Sequence, residues 1–413
     1  MSDTNAANIA NIAIRAVFRV EHAKLVARLA RMVRDVGVAE ELAQDALVAA
    51  LETWPRDGVP ANPAAWLMTT AKRRALNTLN RGRMVERKHE ELGHMTTTHE
   101  DPADLDDDVG DDLLRLMFVS CHPVLAPEAR VALTLRLLGG LTTDEIARAF
   151  LVAEPTVAQR IVRAKRALAE AKVAFEVPPA AERAARLASV CAVIYLVFNE
   201  GYAASAGDDP MRPALLEDAL RLGRVLAGLV PDEPEVHGLC ALMELHASRA
   251  GARIDANGES VLLLEQNRAR WDQRLIRRGL EALAHAEQLA GAGPYVVQAK
   301  ISACHARAVN AADTDWPRIA ALYTELLALQ PTPVVELNRA MAIAMAEGPA
   351  AGLALIDDIA PRLARYPWLA AARADLLVKL DRRDEARSEL ARAAELTTNT
   401  HDRAKLLRRA AAL

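Results

Sequence analysis

The chain has 413 residues, is 52% hydrophobic but only 4% aromatic, and carries a formal net charge of −4. Its length predicts about two to four domains, and a composition rich in Ala and Leu favours an all-α protein. The small net charge excludes a globally basic nucleic-acid-binding protein, so any such contact must come from local patches. Four scattered cysteines without a Cys-x-x-Cys pair are typical of a cytoplasmic protein.

The first predicted elements are two helices. Residues 20–54 have helical periodicity, with a helix that ends near Trp54 and Pro55. After a short loop, Asn62 is placed to cap a second helix that has Pro63 in its first position and runs to about Arg81. The segment 72–88 contains one acid and seven basic residues, which are Lys72, Arg73, Arg74, Arg81, Arg83, Arg87 and Lys88.

An acidic segment follows the basic one. Residues 99–112 include eight Asp or Glu side chains and no Lys or Arg. Like charges in such a run repel one another and favour solvent, so this segment predicts a solvated linker. Amphipathic helix resumes at residue 113.

Residues 141–168, LTTDEIARAFLVAEPTVAQRIVRAKRAL, predict two short helices in succession. Thr142 and Glu145 form a Thr-x-x-Glu capping box, and Pro155 opens the second helix. At 100° per residue the second helix separates an apolar side from a polar side. The apolar side has Val157, Ile161, Ala164 and Leu168, and the polar side has Thr156, Gln159, Arg163 and Arg166. The pattern fits a helix-turn-helix that reads DNA, and it fits equally a basic helix in an ordinary helical hairpin.

The remaining chain, from residue 180 to 413, predicts further helices after a hinge at VPPAAER. The apolar run 187–198 is too short to span a bilayer and predicts a core helix, which Gly201 would end. Ala306, Ala340 and Ala374 recur at 34 residues, the tetratricopeptide period. Because Ala is abundant, a solenoid, an irregular bundle and coincidence all remain open.

Sequence motifs for catalysis, cofactors and metals are absent. The chain has no P-loop, dinucleotide fingerprint, Gly-x-Ser-x-Gly or His-Glu-x-x-His. Neither Cys121-His122 nor the cluster of His237, Cys240, Glu244 and His246 supplies a complete zinc ligand set at a recognised spacing. We therefore expect no enzyme activity, no cofactor, no metal and no membrane segment.

The order of these elements resembles the bacterial sigma factors of the extracytoplasmic-function (ECF) class. The matching segments are AEELAQDALVAALETW, NPAAWLMTTAKRRALNTLNR, LAPEARVALTLRLLGGLTTDEIARAF and PTVAQRIVRAKRAL. The C-terminal segments LASVCAVIYLVFNEGYAASAGD and TDWPRIAALYTELLALQPTPVVELNRAMAIAMAEGPAAGL resemble the subgroup with a long tetratricopeptide-like extension.

The resemblance implies four regions and two macromolecular partners. Sigma domain 2 would occupy 1–90, an acidic linker 91–112, sigma domain 4 would occupy 113–175, and a helical regulatory domain 180–413. Such a factor binds core RNA polymerase and promoter DNA, and the extension would contact a regulatory protein.

Individual residues carry over by position in the matching segments. Glu40, Gln44 and Asp45, expected on the exterior of their helix, would meet the polymerase. The minus-ten element would be approached by Trp66, Lys72, Arg73, Arg74 and Asn77, and the minus-thirty-five element would be read by Thr156, Gln159, Arg160, Arg163 and Arg166. Trp66 fits a core position as well. Asn77 replaces an Asp usual in the family, while Leu151 and Pro155 replace glycines, which shifts the expected sequence readout.

Two other classes of protein share some of these features. A helix-turn-helix activator with a helical-repeat sensor domain would not need residues 38–81 in their present form. A scaffold that binds only proteins would leave both basic patches unexplained.

Overall fold

A computed structural model describes the fold of this chain. The backbone is described for residues 2–90, 109–150, 152–203, 211–255, 261–397 and 400–413. Regular structure in these ranges is helical, without a β-strand, which confirms the predicted all-α class. The chain divides into two compact units, Met1–Leu196 and Val197–Leu413, which are called unit 1 and unit 2 below.

Unit 1 begins with three helices, α1 (Ser2–Val33), α2 (Val36–Asp57) and α3 (Pro63–Glu90). Helix α1 packs against both α2 and α3. The Asn62 carboxamide accepts a hydrogen bond from the Ala65 amide at 3.0 Å, so the predicted cap of α3 is confirmed. Helix α2 continues past Pro55, and α3 extends beyond Arg81. The side chains of the basic residues from Arg81 to Lys88 lie outside the described part.

Four further helices follow, α4 (Val109–Ser120), α5 (Pro127–Leu137), α6 (Thr143–Phe150) and α7 (Glu154–Glu170). The predicted capping box of α6 is confirmed, because the Thr142 amide donates to Glu145 Oε2 at 2.8 Å and the Glu145 amide to Thr142 Oγ1 at 3.1 Å. Helices α6 and α7 pack together as the helix-turn-helix. Leu151, at their junction, lies outside the described residues.

The predicted acidic linker needs one correction. Residues 91–108 lie outside the described part, but α4 begins at Val109, and Asp112 is buried with 1% of its surface exposed. Its carboxylate pairs with Arg28 of α1 at 3.2 Å and with Arg115 at 2.7 Å. Placing Asp112 in solvent was wrong, since these guanidinium groups offset the cost of burying its charge.

Helix α8 (Ala180–Tyr202) contains the apolar run 187–198, which forms a buried face as predicted. In unit 1, Arg186 of this helix donates to the Phe118 carbonyl at 2.8 Å and Ser189 donates to the Cys121 carbonyl at 2.9 Å. The division between the two units falls inside α8, whereas the sequence predicted a hinge at residues 177–183.

Gly201 has a different role from the predicted one. It lies inside α8, and a Cβ there would come within 2.4 Å of the backbone nitrogen of Leu216. The prediction that Gly201 ends the helix was therefore wrong. The missing side chain instead lets the following helix approach closely.

Unit 2 continues as a succession of helices. They are α9 (Pro213–Leu229), α10 (Pro234–Ala247), α11 (Gln273–Gln288), α12 (Pro294–Arg307), α13 (Trp316–Leu329), α14 (Pro333–Glu347), α15 (Pro349–Ile359), α16 (Pro367–Lys379), α17 (Arg383–Leu396) and α18 (Thr400–Ala411). Neighbouring helices pack in sequence from α12 to α18. Within the described residues, no helix is both long and apolar enough to cross a membrane.

The last six helices repeat at a regular interval. Helices α13, α15 and α17 begin at 316, 349 and 383, and α14, α16 and α18 begin at 333, 367 and 400, so equivalent helices start 33 or 34 residues apart. Ala340 and Ala374 are buried at equivalent places. Gly352 lets α15 approach α14, because a Cβ there would lie 2.3 Å from the Cβ of Ala344. Ala354, which follows Ala320 by the same 34 residues, is exposed, so not every alanine at this interval packs.

Candidate nucleic-acid interface

The exposed side of α7 is polar and partly cationic. Its apolar residues Val157, Ile161, Ala164 and Leu168 are buried, while Thr156, Gln159, Arg163 and Arg166 are exposed and Arg160 is half-buried. The predicted separation of the two sides is confirmed. Arg166 Nε donates to Glu170 Oε1 at 2.6 Å, and both side chains are exposed, so water and salt weaken this pair. The open side offers hydroxyl, amide and guanidinium groups, which can bond to base edges and phosphates.

A second basic surface lies on α3. Arg73 and Asn77 are exposed, and Lys72 and Arg74 are half-buried. The helical period places Leu67, Ala71 and Ala75 on the opposite, buried side of α3. Arg74 Nη1 lies 3.1 Å from Asp45 Oδ2 of α2. The surface predicted to approach DNA and the surface predicted to approach polymerase therefore adjoin at this ion pair.

Trp66 is held by another tryptophan. Its ring lies 5.4 Å from that of Trp54, nearly perpendicular to it at 74°. Trp54 is buried, whereas Trp66 is half-buried. Trp66 thus packs on the core through one edge and presents the rest of its ring at the surface, which accommodates both interpretations made from the sequence.

Glu40 does not lie on the exterior of α2, and that expectation was wrong. It is 3% exposed, and its carboxylate pairs with Arg136 of α5 at 2.5 Å and with Lys165 of α7. Burial acts to raise the pKa of Glu40, but the two adjoining cations outweigh it and hold the pKa below its ordinary value. Of its predicted companions, Gln44 is half-buried and Asp45 is exposed.

Further contacts join the first three helices to the helix-turn-helix segment within unit 1. His22 of α1 is buried and its Nδ1 lies 3.2 Å from the Leu137 carbonyl oxygen at the end of α5. Burial lowers the pKa of His22 to about 4, so the imidazole is neutral at physiological pH. The charged part of this internal interface comes from Lys165 and Arg136, which the sequence analysis did not assign, and from Asp112, which it placed in a solvated linker.

An exposed polar recognition helix and a second basic helix in the same unit are typical of a DNA-binding transcription protein. Comparison with known proteins narrows this class: residues 18–84 match Sigma-70 region 2, and residues 115–168 match Sigma-70 region 4. Residues 186–287 match a family of unknown function, DUF6596. No solved structure matches the chain.

Three relatives show how far the similarity extends. An uncharacterized protein of Rhizobium meliloti is 44% identical over 380 residues, covering 91% of this chain and 90% of the relative. A probable ECF RNA polymerase sigma factor of Mycobacterium tuberculosis, SigI, is 29% identical over 41% of this chain and 59% of its own. The ECF RNA polymerase sigma factor SigK of Mycobacterium ulcerans is 28% identical over 34% of this chain and 75% of its own.

The chain belongs to the family of the Rhizobium meliloti protein and, by its Sigma-70 regions 2 and 4, to the ECF sigma factors. It binds core RNA polymerase and promoter DNA and directs the initiation of transcription. A helix-turn-helix activator is not favoured, because region 2 is present in addition to the helix-turn-helix.

Proposed function

We propose that α7 reads the minus-thirty-five element through Thr156, Gln159 and Arg163, with Arg160 and Arg166 on the phosphates. The observation that carries this assignment is the exposure of the polar side of α7 while its apolar side packs. On α3, Lys72, Arg73, Arg74 and Asn77, with Trp66 beside them, approach the minus-ten element. Exposed guanidinium groups suit phosphates, and an aromatic ring suits an unpaired base.

The polymerase contact is assigned to Glu40, Gln44 and Asp45, and for Glu40 it requires a rearrangement. The two promoter elements lie about 25 base pairs apart, which is about 85 Å along B-DNA. One compact unit in which Lys165 touches Glu40 cannot engage both elements. Glu40 therefore exchanges its internal partners for polymerase when the recognition helix moves away.

The C-terminal helices are assigned as a tetratricopeptide-like regulatory domain. The 33- or 34-residue interval between equivalent helices supports this assignment, because stacked helix pairs of that length form extended binding surfaces. The partner of that surface is a regulatory protein. We place the chain in the cytoplasm, where polymerase works, and assign it no enzyme activity.

The test is transcription in vitro with purified core polymerase on a promoter selected from a randomised pool by the same holoenzyme. Arg163→Ala should lower affinity for that promoter by about 1–3 kcal/mol and leave binding to scrambled DNA nearly unchanged. Lys172→Ala, just beyond the end of α7, is the matched control and should have little effect.

Two results would contradict the assignment. Equal losses on the selected and the scrambled DNA would make Arg163 a phosphate contact without a reading role. Failure of the native protein to initiate transcription with core polymerase would refute the assigned polymerase contact together with the promoter contacts.

A further inference from the structure

Three helices, α8, α10 and α12, have their C-terminal ends close together in unit 2, and an arginine lies at each end. Arg253 donates to the carbonyl of Tyr202, the last residue of α8. Arg249 follows α10 by two residues. Arg268 donates to the carbonyls of His305 and Ala308, at the end of α12, at 2.8 and 2.7 Å.

Aromatic rings bring these arginines together. The guanidinium carbons of Arg249 and Arg268 lie 5.9 and 5.1 Å from the centre of the same Trp271 ring. Arg253 lies 3.9 Å over the Tyr202 ring, and His246 lies 5.6 Å from that ring. The group formed by Arg249, Arg253, Arg268, His246, His305, Tyr202 and Trp271 is called the arginine cluster below.

Within the described part of the chain, the arginine cluster has a surplus of positive charge. Among the described residues, no carboxylate forms an ion pair with Arg249, Arg253 or Arg268. A helix C-terminus contributes about −0.5 of an elementary charge, so the three helix ends together offset about half of the three guanidinium charges. Asp313 attracts Arg268 without forming an ion pair.

The imidazoles of His246 and His305 add no positive charge to the arginine cluster. Burial, followed by the neighbouring arginines, lowers the pKa of His305 to about 4 and places the pKa of His246 well below its usual range. Both rings are therefore neutral at physiological pH and leave the charge of the three arginines as it stands.

Several polar atoms of the arginine cluster are buried and have no hydrogen-bond partner among the residues that the structure describes. They are Arg249 Nε, Arg268 Nε, Trp271 Nε1 and His305 Nδ1. Arg268 and His305 are each 8% exposed, and Trp271 is 3% exposed. Three of these four atoms are obligatory donors, and buried donors in native proteins almost always have an acceptor.

We propose that the arginine cluster binds a small oxyanion, a phosphate or a carboxylate group, with Arg249 as its principal ligand. Arg249 is half-buried and shares the Trp271 ring with the buried Arg268, so the unpartnered donors lie around one indole. Guanidinium groups bond to carboxylate and phosphate oxygens in a fork, and Trp271 adds a further donor. Unit 2 of this sigma factor would thus carry a receptor site for an anionic metabolite.

The test measures binding by the full-length protein directly, independently of transcription. Isothermal titration with inorganic phosphate and with citrate, each against chloride at equal ionic strength, distinguishes a phosphate ligand from a carboxylate ligand. We expect one of the two to bind the native protein and Arg249→Gln to weaken that binding by about tenfold or more. Arg277→Gln, at an exposed arginine of α11, is the matched control and should bind as the native protein does.

Arg249→Lys keeps the charge but loses the fork, so its affinity should lie between those of the native protein and Arg249→Gln. If Arg249→Gln does not fold, the proposal is tested by whether Arg249→Lys binds the anion more weakly than Arg277→Gln does. No binding above chloride in either titration, or equal binding by all variants, would overturn the proposal and leave the arginines as helix caps. Because the readout is binding, a failure here is distinguishable from a failure of the promoter and polymerase assignments.

Discussion

Glu40 shows how a single carboxylate can link two parts of unit 1. It lies in α2 but bonds to Arg136, 96 residues further along the chain, and to Lys165 in the recognition helix. A buried carboxylate is stable only when cations and hydrogen bonds replace its water, and these two side chains do so. The residue that the family resemblance assigned to a polymerase contact therefore makes an internal contact in the free chain.

Replacing this charge should destabilise unit 1. Glu40→Gln removes the partner of two cations that are themselves about one-fifth exposed, so we expect a loss of about 1–3 kcal/mol in the free energy of unfolding. Urea unfolding monitored by circular dichroism measures it. Glu41→Gln, at an exposed neighbour, is the control and should change the free energy little.

The difference in the free energy of unfolding between the native protein and Glu40→Gln should depend on pH with a defined sign. Because the folded-state pKa of Glu40 is lowered, its stabilisation is present above the ordinary pKa of an unfolded glutamate and is lost as pH falls through the folded-state pKa. The gap between the native protein and Glu40→Gln should stay constant from pH 7 to about 5.5 and shrink at more acidic pH. A gap that grew on acidification would contradict the assigned ion pairs.

At the scale of helices, close packing depends on where side chains are missing. Gly201 of α8 meets the backbone of Leu216 in α9, whereas Gly228, near the end of α9, has no atom within 4 Å of the position its Cβ would take. Both glycines lie inside helices, where alanine is intrinsically preferred. Their environments therefore predict opposite effects of the same substitution.

Gly201→Ala should destabilise unit 2 by about 1–3 kcal/mol, because backbone atoms have to move to make room. Gly228→Ala should stabilise it by about 0.5–1 kcal/mol through helix propensity alone. Thermal unfolding of the two variants beside the native protein gives the comparison. If both substitutions raised the melting temperature, the close approach of α8 and α9 at Gly201 would be disproved.

At the scale of the whole chain, the proposed opening of unit 1 can be tested with a covalent lock. A Cβ at Gly37 of α2 would lie 4.0 Å from the Cβ of Lys165 in α7, within the range that a disulfide spans. The double variant Gly37→Cys, Lys165→Cys should form an internal disulfide on oxidation. The oxidised protein should not initiate transcription with core polymerase, and reductant should restore initiation.

The two single-cysteine variants are the controls and should initiate transcription under both conditions. Full activity of the oxidised double variant, with the disulfide verified by mass spectrometry of its peptides, would show that α2 and α7 need not separate. The native cysteines Cys121, Cys191 and Cys240 are buried, which limits their interference, whereas Cys304 is half-buried and should be replaced by serine in all three variants.

The sequence by itself determined the local elements of this protein. Asn62, Thr142 with Glu145, and Pro155 predicted where helices begin, and the apolar period of α7 predicted which side packs. These features depend on residues three or four positions apart, so helical geometry alone decides them. The order of the segments was enough to indicate an ECF sigma factor, which the Sigma-70 matches confirm.

Only the tertiary structure decided which charged groups leave the surface. Asp112 is paired with an arginine 84 residues away, Glu40 with one 96 residues away, and the arginine cluster gathers the ends of three helices. Sequence spacing fixes the face of a helix on which a side chain lies, but not which distant helix covers that face. From sequence alone, an acidic residue or an arginine is predicted to be exposed to solvent. Its burial is favourable only when a partner of opposite charge or a hydrogen-bond acceptor packs against it, and that partner can be far away in the sequence.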